Sequence, residues 1–195
     1  MTTRGRSGSR STSAGVLLAA GLGERFAGPV PKLLAPFRGR PLVAWAIDAV
    51  VAAGFDEVMV VVGAVALDDL LPPGVTVVTN PDPRAGQATT IRCALDVADS
   101  AGHGAVVVGL GDQPLVPAEA WRRVGASDAD IATATFGGTV RPPVRLARAV
   151  WPLLPVSGDE GARRLIRERP DLVAEIPCPG NPGDVDTVED LERWS

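Results

Sequence analysis

Val16-Leu17-Leu18-Ala19-Ala20-Gly21-Leu22-Gly23-Glu24-Arg25, followed by Pro31-Lys32, is the stretch on which the reading of this 195-residue chain turns. Its apolar opening, rich in Val and Leu, predicts a buried strand. Gly21 and Gly23 follow directly. A glycine tolerates positive φ and lets a ligand approach bare backbone, so successive N–H groups can face an anion. Arg25 adds a planar fork of donors and Lys32 a mobile point charge. Strand, glycine loop, guanidinium and ammonium together describe a polyphosphate cradle. An ordinary strand-to-helix turn with incidental surface cations is the plainer alternative. Two familiar phosphate loops are excluded: no Gly-Lys-Ser/Thr closes a Walker loop, and Phe26 stands where the dinucleotide fingerprint needs its third glycine.

Downstream, strand and helix signals alternate. Leu42, Val43, Ala46, Ile47, Val50 and Val51 recur at helical intervals, with Pro41 at the start and Gly54 just past the end. Val-rich strands are predicted over 57–62, 74–79 and 105–110, with a short helical turn over 68–71 and a helix over 87–99 closed by Gly102. A helix over 117–124, a strand over 130–136 and a turn at Gly137-Gly138 follow, and Pro142-Pro143 reads as a break. Ser157 and Glu160 have capping-box spacing for a helix through 166, and Thr187 with Asp190 for a final helix ending at 194, with a late strand over 172–176 between them. The expected fold class is α/β: a single Rossmann-like three-layer domain over 14–195 with a mostly parallel central sheet, preceded by a flexible tail over 1–13.

Composition narrows the function. A net charge of −4 argues against a broad nucleic-acid or anionic-membrane surface, so any anion site is local. No stretch approaches the roughly 20 apolar residues of a membrane span. Cys93 and Cys178 are far apart and read as buried thiols of a soluble, cytoplasmic protein. The single histidine, His103, sits between glycines at a helix end, where a cap or solvent role is expected rather than catalysis.

Ligands of open α/β sheets bind beyond the carboxyl ends of the strands. Gly111-Asp112-Gln113-Pro114 leaves the strand over 105–110 at that edge, so Asp112 is either a Mg²⁺ ligand or a loop cap. Asp184 and Asp186, two apart in extended chain, face one side. Asp186 or Thr187 is expected to cap the last helix, which leaves Asp184 as the second metal contact.

L-A-A-G-L-G-E-R…P-K, N-P-D…G-Q, L-G-D-Q-P-L-V, G-D-E-G-A-R and D-V-D-T-x-E-D-L, in this order, resemble the nucleotidyltransferases that act on molybdopterin, the cytidylyltransferases of the molybdenum cofactor in particular. The resemblance runs from Gly15 to the end of the chain. It implies a nucleotide-diphospho-sugar transferase-like domain that binds an NTP and Mg²⁺ and releases pyrophosphate. By the same resemblance, Leu18, Ala19, Ala20 and Gly21 contact base and ribose through their backbone. Gly23, Arg25 and Lys32 hold phosphates, and Asn80, Gly86 and Gln87 line the base pocket. Asp112 and Asp184 ligate Mg²⁺. Ala20 looks like the cytidylyl branch, since the guanylyl branch usually has Leu-Ala-Gly-Gly there. Arg141-Pro142-Pro143 replaces a frequent Gly-His-Pro in the segment that the resemblance turns toward the acceptor, and Thr89-Thr90 replaces a serine pair.

The chemistry expected is in-line attack of an acceptor phosphate oxygen on the α-phosphorus of CTP, with no protein nucleophile. Catalysis rests on alignment and charge neutralisation by Arg25, Lys32 and Asp112. The partners are an NTP, a small phosphorylated acceptor such as molybdopterin and a molybdoenzyme receiving the cofactor. Three alternatives stay open: a cytidylyl- or guanylyltransferase for another small phosphorylated acceptor, an NAD(P)H-dependent oxidoreductase, and a cofactor-delivery or nucleotide-sensing module without catalysis.

Overall fold

The computed structural model describes residues 11–194. The opening strand, β1 (Ser13–Ala19), is buried at all but its first residue. After it come a two-residue hairpin, β2 (Pro36–Phe37) and β3 (Arg40–Pro41), and then α1 (Leu42–Ala53). Next are β4 (Glu57–Val62), β5 (Val75–Thr79), α2 (Gln87–Ser100), β6 (Ala105–Leu110) and α3 (Ala118–Gly125). β7 (Ile131–Phe136), β8 (Thr139–Ala147), α4 (Ala162–Glu168), β9 (Val173–Pro177) and α5 (Val188–Trp194) complete the chain.

Seven strands form one sheet in the order β5-β4-β1-β6-β8-β7-β9. β8 alone runs antiparallel to its neighbours, and the remaining pairings are parallel. The sheet separates two apolar layers. On one face Val43, Ile47 and Val50 of α1 pack with Trp121 and Val124 of α3. On the other, Ile91, Leu95 and Ala98 of α2 pack with Leu165 of α4 and with Trp151. Each Val, Ile or Leu among them contributes about 1.5–3 kcal/mol on burial. A doubly covered sheet explains why its strands read as continuous Val runs rather than alternating ones. The three-layer α/β domain expected from the sequence is the observed architecture.

Departures from the expected elements have local causes. Pro142-Pro143 does not break the chain but lies inside β8, its peptide bond cis. Pairing with β7 shifts there, with Thr133 opposite Val144 and Ala134 opposite Arg141. The two prolines, which offer no ladder N–H, fall in the resulting bulge. The capping box at 157–160 does not form: α4 begins only after Gly161, and Glu160 pairs with Arg167 instead. Gly158 is tied to the loop before α2, its N–H donating to the Ala85 carbonyl and its carbonyl accepting from Ala88 N–H, both at 2.9 Å. The box at Thr187 and Asp190 forms in both directions, at 3.0 and 3.1 Å.

His103 closes α2 through its backbone, donating to the Ala98 carbonyl at 3.0 Å. Its ring is buried rather than solvated, 2.8 Å from Glu57 and 3.0 Å from Thr12. Cys93 and Cys178 are free and half-buried. The expected tail falls mainly on residues 1–10, outside the described residues, while Ser13 is already part of β1. No helix among the described residues is long and apolar enough to cross a membrane.

Candidate functional site

Because β1 and β6 are parallel neighbours with Leu18 opposite Leu110, the loops leaving them emerge side by side at one sheet edge. Gly111 N–H donates to the Leu18 carbonyl at 2.9 Å and fixes the two loops together. The segment before α5 joins them, since Val185 N–H donates to the Asp112 carbonyl at 3.0 Å. Val185 is fully buried, so Asp184 and Asp186 on either side of it both turn outward, as extended chain requires. These loops enclose a cleft of about 800 Å³, within the size range of small-molecule sites.

The cleft brings together Leu18, Ala19, Ala20, Gly21, Gly23, Arg25 and Lys32 from the first loop. Gly86, Gln87, Asp112 and Asp184 reach it from three other segments. Gly23 has φ +63°, the backbone state expected of the loop. Gly21 does not use positive φ, and nothing lies within 4 Å of where its side chain would begin, so its Cα faces open cleft.

Asn80 is placed elsewhere. It is buried and does not line the cleft. Its amide donates to Thr90 and Thr89 at 2.9 and 3.2 Å and accepts from Asp82 N–H at 2.9 Å. All of this holds the loop that carries Gly86, so Asn80 positions the cleft wall without forming it. At Gly86, φ is +101° and a side chain would meet the Gly158 carbonyl carbon at 2.4 Å. Only glycine lets the two loops touch there.

Lys32, at the start of a single 3₁₀ turn after Pro31, crosses the cleft floor. Its ammonium donates to Asp112 at 2.6 Å and Asp186 at 3.3 Å. Burial opposes its charge, but Asp112 and then Asp186 outweigh that, and its pKa rises above the ordinary lysine value. Arg25 pairs with the other oxygen of Asp186 at 3.0 Å yet keeps 78 % of its side chain exposed, against 11 % for Lys32. Asp186, expected to cap α5, is therefore part of the cleft, and Thr187 does the capping. Asp184 accepts from Gln113 at 2.7 Å. Its carboxyl is held above the usual range by burial, then by the nearby Asp112 charge.

Sequence reading also missed Arg84, Thr90, Asp159 and Arg163, which line the cleft. Asp159 and Arg163 belong to the G-D-E-G-A-R motif, which was legible, but its approach to the loop before α2 was not.

Among the described residues no group of three or more His, Cys, Asp or Glu side chains forms a ready metal cage. Mg²⁺ normally takes one or two carboxylates and completes its octahedron with substrate phosphate and water. Asp112 and Asp184 offer that hard oxygen set, and the mutual charge that raises Asp184 is what a divalent cation relieves. The residues fit the ion.

A mostly parallel three-layer sheet with a glycine loop, a buried lysine and paired carboxylates at its carboxyl edge defines a nucleotidyltransferase-like domain. Residues 15–173 match the MobA-like NTP transferase domain, and the chain belongs to that family. The chain is 34% identical to nicotine blue oxidoreductase of Paenarthrobacter nicotinovorans, over 92% of this chain and 94% of that protein. It is 26% identical to the purine catabolism protein PucB of Bacillus subtilis, over 91% and 93%. Rv0371c of Mycobacterium tuberculosis superposes with a TM-score of 0.81 at 29% identity, over 94% of this chain and 97% of that one. The same protein in complex with manganese superposes at 0.74, over 94% and 98%.

Proposed function

We propose that this protein transfers CMP from CTP to a small phosphorylated acceptor, releasing pyrophosphate, with molybdopterin the acceptor that the family resemblance names. The single observation carrying this reading is the Lys32–Asp112 contact on the floor of the cleft, facing the glycine loop. A largely buried cation and a carboxylate suited to a divalent metal, within one hydrogen bond of each other, suit a triphosphate. Ala20 in the first loop supports CTP over GTP.

In the reaction, an acceptor phosphate oxygen forms a bond to the α-phosphorus while the bond to the bridging oxygen breaks in line and pyrophosphate departs. The acceptor oxygen is already ionised, so the chain need supply no strong base. The open backbone at Gly21 admits the base and ribose, and Gly23, packed against Lys32, would offer its backbone to the phosphates. Lys32 moves from Asp112 and Asp186 toward the developing pyrophosphate charge, and Arg25, held only by an exposed pair, swings in at little cost. Asp112 and Asp184 would hold Mg²⁺, which when bound neutralises phosphate charge and fixes its geometry. The manganese complex of Rv0371c supports a divalent cation in this reading. Transfer in the cytoplasm to a molybdoenzyme, with its thiols kept free, agrees with the two free cysteines.

A second reading, redox chemistry on the same scaffold, is favoured by one observation, the name of the 34% identical relative. One panel separates them. The four NTPs are supplied with and without Mg²⁺ and reduced molybdopterin, and pyrophosphate is measured. Release with CTP alone, dependent on Mg²⁺, is the expected result. Silence with every NTP, together with oxidation of NAD(P)H by a supplied two-electron-accepting dye, would replace transfer by the redox reading. Silence in both assays leaves transfer to another phosphorylated acceptor or a binding module, which CTP titration with other phosphate monoesters separates.

A further inference from the structure

A second cavity, of about 160 Å³, opens beside the first, and Leu18, Gln87, Leu110, Arg163 and Asp184 line both. Its walls are aliphatic, made by Ile91, Val108, Val144, Ala162 and Ile166 with Leu110. Of its neutral polar groups, Gln113 is engaged with Pro182 and Asp184 and Thr133 with the Arg141 carbonyl, while Gln87 lies on the side shared with the cleft. A cavity of about 150 Å³ lined by aliphatic and aromatic side chains admits benzene. This one therefore holds one six-membered ring or a branched chain of similar bulk.

The charged groups of its lining are Arg141, Arg163 and, on the side shared with the cleft, Asp184. Among the described residues, Arg25, Arg40, Arg148 and Arg169 are held by carboxylates and Arg92 and Arg145 by carbonyls, whereas Arg84 of the cleft is not held in this way. Among the described residues the Arg163 guanidinium has no hydrogen bond or ion pair, and Arg141 has only a 3.4 Å contact with the adjoining Val140 carbonyl. Two guanidiniums that no carboxylate holds by a hydrogen bond, lining a mainly aliphatic chamber beside the cleft, are a complement to a phosphate on a hydrocarbon body.

We propose that this cavity is the acceptor subsite and selects a phosphate monoester of a compact, apolar body, its phosphate gripped by Arg141 and Arg163. The inference rests on the neighbouring cleft being the nucleotide site and narrows the acceptor class. Molybdopterin meets the anionic half of this demand. Its fused heterocycle exceeds a chamber sized for one six-membered ring and would set part of its polar edge against Ile91, Val108, Val144 and Ile166, so the chamber ranks it below an acceptor with a hydrocarbon body.

Calorimetric titration of the full chain with phenyl phosphate, glycerol 1-phosphate and inorganic phosphate tests this without turnover. Phenyl phosphate is expected to bind about ten- to a hundredfold tighter than the other two, from burial of one ring. Arg141→Ala and Arg163→Ala each lower that affinity about tenfold, and Ala162→Leu, which fills the chamber, removes the preference. Both arginines are exposed, so their replacements report even if Ala162→Leu does not fold. Equal affinity for phenyl and glycerol phosphates overturns the proposal, as does a phenyl phosphate affinity that neither arginine replacement lowers. CTP is titrated separately. Phenyl phosphate binding without CTP binding would sink the nucleotide reading and leave the chamber's selectivity standing.

Discussion

Lys32 and Arg25 reach the same carboxylate, Asp186, with unequal freedom. Lys32 is enclosed and held by two acids, so its charge acts at short range in a partly dry site, whereas an exposed pair such as Arg25–Asp186 is worth about 1 kcal/mol or less. Lys32→Ala should therefore lower CTP turnover by about 10²–10³, and Arg25→Ala by less than about tenfold. Equal losses in steady-state pyrophosphate release would mean that burial does not set their roles. Asp184 makes a different prediction. Its folded pKa is raised, so the folded state binds the proton more readily, and ionisation at neutral pH costs stability. Asp184→Asn should raise the metal-free Tm by about 2–4 °C and reduce the further rise that Mg²⁺ and CTP produce in the parent. A lower Tm in the variant would refute this. Lys32, Asp112 and the outward pair at 184 and 186 were legible from residue type and strand-edge position. Of the two cap candidates, Asp186 and Thr187, it is Thr187 that caps; Asp186 qualifies only because an acid before Thr187 has the right local shape. What decides its role is Lys32, 154 positions away, and no local pattern carries that.

At the scale of elements, two glycine loops carry the cleft for opposite reasons. Gly86 is needed by the fold, with positive φ and the Gly158 backbone against it, whereas Gly21 has open space where a side chain would stand. Gly86→Ala should cost about 1–3 kcal/mol from backbone strain alone, with more from the contact to Gly158. Gly21→Ala should leave the urea midpoint unchanged yet weaken CTP binding, if triphosphate or ribose passes over that Cα. A loss of stability in Gly21→Ala would show instead that the fold itself needs glycine there. Continuous Val runs and glycine helix ends made β1, β4, β6, α1 and α2 readable, because each is set by burial on both sheet faces or by one backbone stop. β8 was not, since Pro142-Pro143 reads as a break unless the bulge opposite Thr133 and Ala134 is known. The acidic and polar run at 157–160 imitated a cap, while its backbone was already committed to Ala85 and Ala88.

Across the whole molecule the sheet divides its work between its two edges. The carboxyl edge gathers like charges and open backbone around the cleft, and the amino edge holds a closed polar cluster. There Glu57, at the start of β4, accepts from Thr76 of β5 at 2.6 Å and lies 2.8 Å from His103, which follows α2. The Thr76 hydrogen bond lowers the Glu57 pKa most among the favourable contacts, burial opposes it, and His103 adds to it, leaving the carboxyl below the ordinary glutamate range. A depressed acid stabilises the fold above its unfolded pKa of about 4.3, and that contribution is lost as pH falls through the folded value. Glu57→Gln should therefore cost about 1–2 kcal/mol at pH 7, with the gap to the parent closing below about pH 4. Urea unfolding of both proteins from pH 3 to 7 measures it. CTP binding at pH 7 should be unaffected, because no cleft residue touches Glu57. A gap that stays constant across that range would mean that Glu57 acts through packing alone, and that the amino edge carries no charge-dependent share of the stability.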